Sequence, residues 1–261
     1  MTKEEKTQLY SLLKTVSDSL YGHKSPDFPD EIPIFEDDMV QVQAETTETQ
    51  NTASTNAAQS ESVSSAGGNS ATSTIDNISS KIRECKRCQL CASRKQTVPG
   101  MGVEKPFVLV IGEGPGEEED KQGLPFVGPA GQLLDKMLAA IQLYRNKNCY
   151  IANIVKCRPP MNRNPMPEEA DACRPFLDAQ IAALKPKAIL CAGSVAVKNL
   201  FHINDGVMKL HGQVLDYKGI PVVTTWHPSA LLRAPENKRP AWEDLKIFKS
   251  ELLKLDPNYD K

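Results

Sequence analysis

The segment Val108 to Leu134, VLVIGEGPGEEEDKQGLPFVGPAGQLL, restricts the fold more than any other part of the chain. It opens with a short apolar run, Val108 to Ile111, which has the pattern of a fully buried strand. The run stops at Gly112, and Gly114 and Gly116 follow with Pro115 between them. Glycines at such a turn admit positive φ and let a ligand approach main-chain N–H groups. Four acids come next, Glu117 to Asp120, then a second turn at Gly123 and Pro125, then Phe126. Gly128, Pro129 and Gly131 lead into a helix expected to start near Gln132, with none expected directly after the first glycine turn. A strand ending in such a turn and followed by a helix places a ligand pocket at the carboxyl edge of an open α/β sheet.

The ligand is constrained by what the turn lacks. The spacing is G-x-G-x-G rather than G-x-G-x-x-G, and no G-x-x-x-x-G-K-[ST] occurs. Four acids beside the loop would also repel a pyrophosphate. A neutral, hydrogen-bonding ligand fits better: Glu113 and main-chain groups can bond to it, and Phe126 offers a flat face. A glycine turn that serves packing alone is the plainer alternative.

Charge becomes informative once the 261 residues are divided. Residues 1–80 carry 4 Lys/Arg against 13 Asp/Glu, a balance of −9, whereas residues 81–261 carry 27 against 20, a balance of +7. A basic folded part suits a polyanionic partner such as nucleic acid. No stretch has the roughly 18 consecutive apolar residues of a membrane span. The first residues lack the apolar core of a signal peptide. Seven cysteines without an export signal point to a reducing cytoplasm and to metal or core roles rather than disulfides.

Residues 1–22 read as an amphipathic helix, with Leu9, Leu12, Leu13, Val16 and Leu20 at helical spacing, for which a protein partner is one use. Its stretch Gln8 to Leu13 loosely resembles a bacterial sliding-clamp-binding peptide. Residues 23–74 are acidic and then low in complexity, too polar to offset their ordering entropy, and read as a disordered linker. The folded domain is expected over 75–255, with a tail at 256–261. Within it, strands are predicted at Val108–Ile111, Tyr150–Val155, Ala188–Ala192, Val214–Tyr217 and Val222–Thr225. Helices are predicted at Ile75–Cys91, Leu133–Leu143, Pro167–Leu184, Ser194–Phe201 and Trp242–Leu253. This alternation predicts an α/β fold, a three-layer α/β/α domain with a mostly parallel central sheet.

Cys85 and Cys88 form C-x-x-C, and Cys157 and Cys173 form C-x15-C. Two such pairs brought together supply four thiolates, which suits a four-iron cluster or structural zinc. Cys91 is a rival to Cys88. Cys149 and Cys191 fall in predicted strands and read as core residues. Lys86, Arg87, Arg158 and Arg174 lie beside the proposed ligands, where they could meet phosphates or simply face solvent.

Three predicted strands end in polar signatures: Gly112-Glu113-Gly114, Asn153 and His227. In an open parallel sheet those ends share one edge and can converge. Asn supplies one acceptor and two donors, enough to read an amide edge. His can donate to a developing oxyanion.

With these motifs in hand, residues 82–253 resemble the type-4 uracil-DNA glycosylases, which carry a four-iron, four-sulfur cluster. The matching signatures are GEGPGEEED (112–120), GLPFVGPAGQLLDKML (123–138), NIVKCRPP (153–160), the C-x15-C pair and WHPSALLR (226–233). The resemblance implies excision of uracil from DNA by hydrolysis of the N-glycosidic bond, initiating base excision repair. It implies a [4Fe-4S] cluster on Cys85, Cys88, Cys157 and Cys173. It implies base contacts from the loop Gly112 to Gly114 and from Phe126, Asn153 and His227.

The related type-1 enzymes place an Asp where this chain has Gly114, which leaves the water-activating group open. Glu113 and Glu119 are the candidates, with Glu119 preferred. Leu231 or Leu232 is expected to act as a wedge in the gap left by the flipped base. Lys238, Arg233 and Arg239 are expected to meet phosphates, and His211, before Gly212, is a further pocket candidate without an assigned role. The loop from Cys157 to Cys173 contains no His, so no covalent bond to the abasic site is expected. The expectation is thus a cytoplasmic, monomeric enzyme acting on uracil-containing DNA. The alternative from another class is a non-catalytic, metal-bound DNA-binding or damage-sensing module.

Overall fold

The computed structural model describes residues 74–260; the expected N-terminal helix and linker fall outside the described residues. A single sheet runs in the order β1-β3-β2-β4-β6-β5. Its members are β1 (Met101–Gly102), β2 (Val108–Gly112), β3 (Cys149–Asn153), β4 (Ala188–Ala192), β5 (Val214–Tyr217) and β6 (Ile220–Thr225). The four central strands, β3, β2, β4 and β6, are parallel, and the two edges pair antiparallel. β2, β3 and β4 are buried at every position, which is why their sequences are unbroken apolar runs rather than alternating ones.

The helices are α1 (Thr74–Arg83), α2 (Leu90–Ser93), α3 (Glu117–Gln122), α4 (Pro129–Ala139), α5 (Pro167–Leu184), α6 (Ser194–Phe201), α7 (Val207–Leu210), α8 (Pro228–Arg233) and α9 (Lys238–Leu255). They cover both faces of the sheet, and the period of two along each strand sorts the core into two halves. Leu109, Ile111, Ala152, Ile189 and Cys191 pack toward α1, α5 and α6. Val108, Val110, Ile151, Leu190 and Val223 pack toward α4 and α9. The predicted three-layer α/β/α architecture is therefore present.

Three of the departures from expectation bear on the two sites. The acidic stretch is a helix, α3, directly after the glycine turn. Gly116 is its N-cap and donates its main-chain N–H to the Glu119 carboxylate at 3.1 Å, while acids in the first turn are favoured by the helix dipole. The helix expected from Leu133 starts at Pro129, with proline in the first turn, where its missing N–H costs nothing. The predicted helix Ile75–Cys91 is two helices, because the segment unwinds at Glu84 to Gln89 to present its cysteines. The helix Pro167–Leu184 and the strands Ala188–Ala192 and Val214–Tyr217 have the expected limits.

Candidate functional site

The carboxyl ends of the four parallel strands open into one cavity of about 440 Å³. Its walls include Glu113, Phe126, Asn153, Ser194, His227 and Arg233. Gly112 is the register partner of Asn153 across β2 and β3. The pairing continues past the strands, with Ile154 N–H donating to Gly112 O at 2.9 Å and Val155 N–H to Glu113 O at 3.2 Å. The loop after β2 is therefore fixed to the segment after β3.

Asn153 is 1% exposed, and neither its side-chain oxygen nor its nitrogen has a hydrogen-bond partner. A buried amide without partners is costly, by about 1–3 kcal/mol for each unmade bond. Its placement against the cavity gives those groups an outlet in a ligand. Phe126 is held at φ 53° beside it. Arg145 fixes that backbone, donating to Pro125 O at 2.8 Å and Phe126 O at 2.9 Å. A Cβ on Gly131 would collide with the Phe126 carbonyl, so the first turn of α4 carries a glycine at that contact.

His227 follows β6 and caps α8. Its ring lies 5.6 Å from that of Phe126, centroid to centroid. Ser229 N–H donates to Nδ1 at 3.2 Å, and the Ser229 hydroxyl is 2.8 Å from the same nitrogen. An accepting Nδ1 fixes the neutral tautomer with its proton on Nε2. Burial, reinforced by Arg233, pushes the ring down to about 4, so it is neutral at physiological pH. Gly193, at φ 95°, makes room for it, since a Cβ there would meet His227 Cβ at 2.8 Å.

The two candidate carboxylates divide. Glu119 Oε1 accepts from Val127 N–H at 2.9 Å and Gly128 N–H at 3.0 Å, and Oε2 accepts from Gly116 N–H at 3.1 Å. One carboxylate thus caps both α3 and α4 and fixes the Phe126 loop between them. This departs from the preference for Glu119 at the water, because its oxygens are bound to main-chain donors. Glu113 is half-buried in the cavity wall, and burial raises its carboxyl above the ordinary range against the opposing pull of Arg233. Gly114 packs on Val155, where a Cβ would meet Cγ2 at 2.8 Å.

The wedge candidates also divide. Leu231 is 2% exposed and belongs to the core against α4 and α9, whereas Leu232 is 48% exposed. The i, i+1 spacing on α8 sends the two side chains to different faces. His211 does not line the cavity; its ring packs on Trp226 at 5.1 Å and lies 4.0 Å from buried Asp244. Arg174 is engaged with Asp178, Asn199 O and the Tyr217 hydroxyl, so it braces α5 rather than standing free for a phosphate.

The thiols form a second site. All seven are free. Cys85, Cys88, Cys91, Cys157 and Cys173 line one small cavity with Arg94, Lys156 and Phe176. Cys88 and Cys85 act electrostatically on Cys173, and Cys88 on Cys157, whereas Cys91 acts on Cys88. Burial raises the thiols of Cys88, Cys157 and Cys173, the second to about 11. Among the described residues, no three His, Cys, Asp or Glu side chains close on a single ion position. Cys149 and Cys191 are fully buried in β3 and β4, and burial raises both thiols.

Arg94, which the spacing of the cysteines did not single out, ties the two halves of this cage together. It donates to Cys157 Sγ at 3.0 Å and to Cys85 O at 2.8 Å. Glu169 makes a further tie, accepting two bonds from Arg163 at 2.7 and 2.8 Å and one from Gln89 at 3.0 Å. Arg163 holds that carboxyl down to about 2.

The sheet thus carries Asn153 and His227 at its strand ends and Phe126 on the loop between α3 and α4, all three lining one pocket. Residues 99–246 match the family model of the Uracil DNA glycosylase superfamily. A type-4 uracil-DNA glycosylase of Thermotoga maritima is 41% identical over 186 residues, covering 69% of this chain and 95% of that protein. One of Archaeoglobus fulgidus is 38% identical over 180 residues, covering 66% and 90%. A type-5 uracil-DNA glycosylase of Pyrobaculum aerophilum is 27% identical over 188 residues, covering 60% and 83%. The chain belongs to the type-4 family of uracil-DNA glycosylases. Among its described residues, no helix is long and apolar enough to cross a membrane.

Proposed function

We infer that this protein is a uracil-DNA glycosylase, hydrolysing the bond between uracil and deoxyribose in DNA. The observation that carries the reading is Asn153, a buried amide with unmade hydrogen bonds beside Phe126 and His227. The glycosidic bond is inaccessible inside a stacked duplex, so the nucleotide must be extruded into the pocket. Uracil stacks on Phe126, and Asn153 accepts from N3–H and donates to O4. Cytosine presents an amino donor where uracil has O4 and leaves the Asn153 donor unpaired, a heavy penalty in a buried site. The methyl of thymine meets the wall near Phe126.

As the bond breaks, C1′ gains oxocarbenium character and the base departs as an anion. Neutral His227 donates from Nε2–H to O2 and stabilises that anion without a change of its own charge. Water adds to C1′, and the proton it loses neutralises the departing uracil anion. Glu113 takes the water-orienting role, and Glu119 positions the Phe126 loop. Leu232 enters the gap in the stack. Arg158, Arg233, Lys238 and Arg239 supply positive charge for the phosphates.

Cys85, Cys88, Cys157 and Cys173 hold a [4Fe-4S] cluster. The fit rests on four thiols that surround a shared cavity, with cationic Arg94 and Lys156 facing it. When bound, the cluster supplies a rigid covalent tie between the segments at 85–88 and 157–173. The compartment is cytoplasmic, and the protein acts as a monomer.

The test is a labelled strand bearing one uracil, alone and opposite G or A, incubated with the protein and then treated with alkali. Scission at uracil, absent for a matched thymine strand and lost in His227→Ala, supports the reading. No scission by iron-loaded protein would overturn it.

A further inference from the structure

Lys156 lies between the two sites and serves neither directly. It is 1% exposed, among the largest fully buried side chains of the domain. Its ammonium donates to Asn153 O at 2.8 Å and to Gln180 Oε1 at 2.6 Å. Gln180 in turn donates to Pro99 O at 2.8 Å, so its amide is oriented with the oxygen toward Lys156. None of the ion pairs among the described residues includes Lys156. A buried cation is normally paired. Here the ionisable group that acts on it is Cys173, whose sulfur also accepts the Lys156 main-chain N–H.

We propose that Lys156 joins the thiol cage to the base-reading Asn153: its charge is balanced by the cage, and its hydrogen bond fixes the Asn153 backbone. This rests on the cluster reading given above. Four thiolates around an iron–sulfur core carry a net negative charge, which supplies the counter-charge that no carboxylate provides. Arg94, donating to Cys157 Sγ, is the second balancing cation. The arrangement makes Lys156 a positioning residue. An occupied cage retains the ammonium, and the ammonium holds Asn153 at the height the base requires. Without the cage charge, the ammonium is drawn toward water and the Asn153 segment loosens.

The test uses the full chain, purified without oxygen, as wild type, Lys156→Met and Lys156→Arg. Iron and sulfide per chain, the reduction potential of the cluster and the affinity for free uracil are measured on each. Lys156→Met is expected to lower the potential, because a positive charge beside the sulfurs is removed. It should also weaken uracil binding roughly 10- to 150-fold, the loss of one charge-assisted bond to the Asn153 segment. Lys156→Arg keeps the charge and should keep the potential near that of the wild type. A Met variant with iron, an unchanged potential and unchanged uracil affinity would overturn the joint and leave the cluster standing.

Absence of iron from the wild type would instead overturn the cluster reading on which the joint rests. Should Lys156→Met fail to fold, the wild type gives a second measurement. Removal of iron by a chelator should weaken uracil binding and speed amide exchange at Ile154 to Cys157. Uracil binding indifferent to iron removal would count against the joint.

Discussion

Gly112 and Asn153 stand opposite each other in register across β2 and β3, and a Cβ on Gly112 would collide with the Asn153 side-chain oxygen and with the Phe126 ring. The absence of a methyl group at Gly112 therefore lets the Asn153 amide and the Phe126 ring close on the end of β2. Gly112→Ala should reduce kcat/KM for uracil-containing DNA by roughly 100-fold or more, since small displacements of positioned groups have effects of that order. The stability cost of overpacking should stay within about 1–3 kcal/mol. Steady-state kinetics beside a thermal melt will separate the two, and a variant with full activity would remove Gly112 from the pocket.

Asn153 makes an opposite pairing of effects. Asn153→Ala should abolish most uracil excision, with a loss of about 1–3 kcal/mol of binding for each hydrogen bond. It should not lower the melting temperature of the unliganded protein, because the amide it removes is buried without partners. A marked loss of stability would show instead that the amide holds the fold.

His227 gives a pH dependence of known sign. Its folded pKa of about 4 lies below the ordinary histidine value of 6.5. As pH falls through that window the unfolded chain takes the proton first, so the contribution of this group to stability declines from pH 6.5 toward 4 and is flat above. His227→Asn should remove that part of the slope in urea titrations. The ring signals of the wild type should remain those of a neutral imidazole at pH 6, and a midpoint near 6.5 would refute the buried neutral donor.

Metal content distinguishes the thiols. Cys88→Ala should lose iron and the visible absorption of thiolate-bound iron, whereas Cys91→Ala should keep both. Cys88 completes, with Cys85, Cys157 and Cys173, the four-thiol set proposed above, while Cys91 is a fifth thiol lining the same cavity. Equal loss in both variants would assign Cys91 to the cage.

Leu232, exposed on α8, should matter on paired DNA alone. Leu232→Ala is expected to slow excision from a duplex by several-fold while leaving single-stranded substrate unaffected, as befits a residue that fills a gap in a stack. Leu231→Ala should instead destabilise the core by about 2–5 kcal/mol. Equal rates on the two substrates would end the wedge role.

The strands were the most legible part of the sequence. Buried parallel strands are apolar throughout, so β2 and β4 stand out at Val108 and Ala188, and polar residues at their ends mark the pocket. Helix α5 announced itself by Pro167 followed by two acids. Helix α3 did not, because Glu117 to Gln122 has no apolar face; caps and dipole hold it rather than burial. β1 is two residues long and is placed by its neighbour β3 rather than by its own pattern. At the site, Asn153 and His227 could be named because each ends or follows a recognisable strand, and Phe126 because it is the aromatic residue after the Gly123–Pro125 turn. The separate duties of Glu113 and Glu119 could not, since acids in one short stretch differ only in which amides lie within reach. Arg94 and Lys156 look like ordinary surface cations in a basic domain until the fold brings them to the sulfurs.

The order β3-β2-β4-β6 has a consequence for how the base is measured. Asn153 leaves the end of β3, and His227 lies just beyond β6, three strand intervals away. At about 4.8 Å per interval, the backbone sets these two jaws roughly 14 Å apart before their side chains reach inward. The gap is fixed by main-chain hydrogen bonds of buried strands, not by a loop that closes. The sheet therefore works as a caliper with locked jaws: a base is accepted or refused by a width decided when the chain folds, and little order remains to be imposed when it arrives.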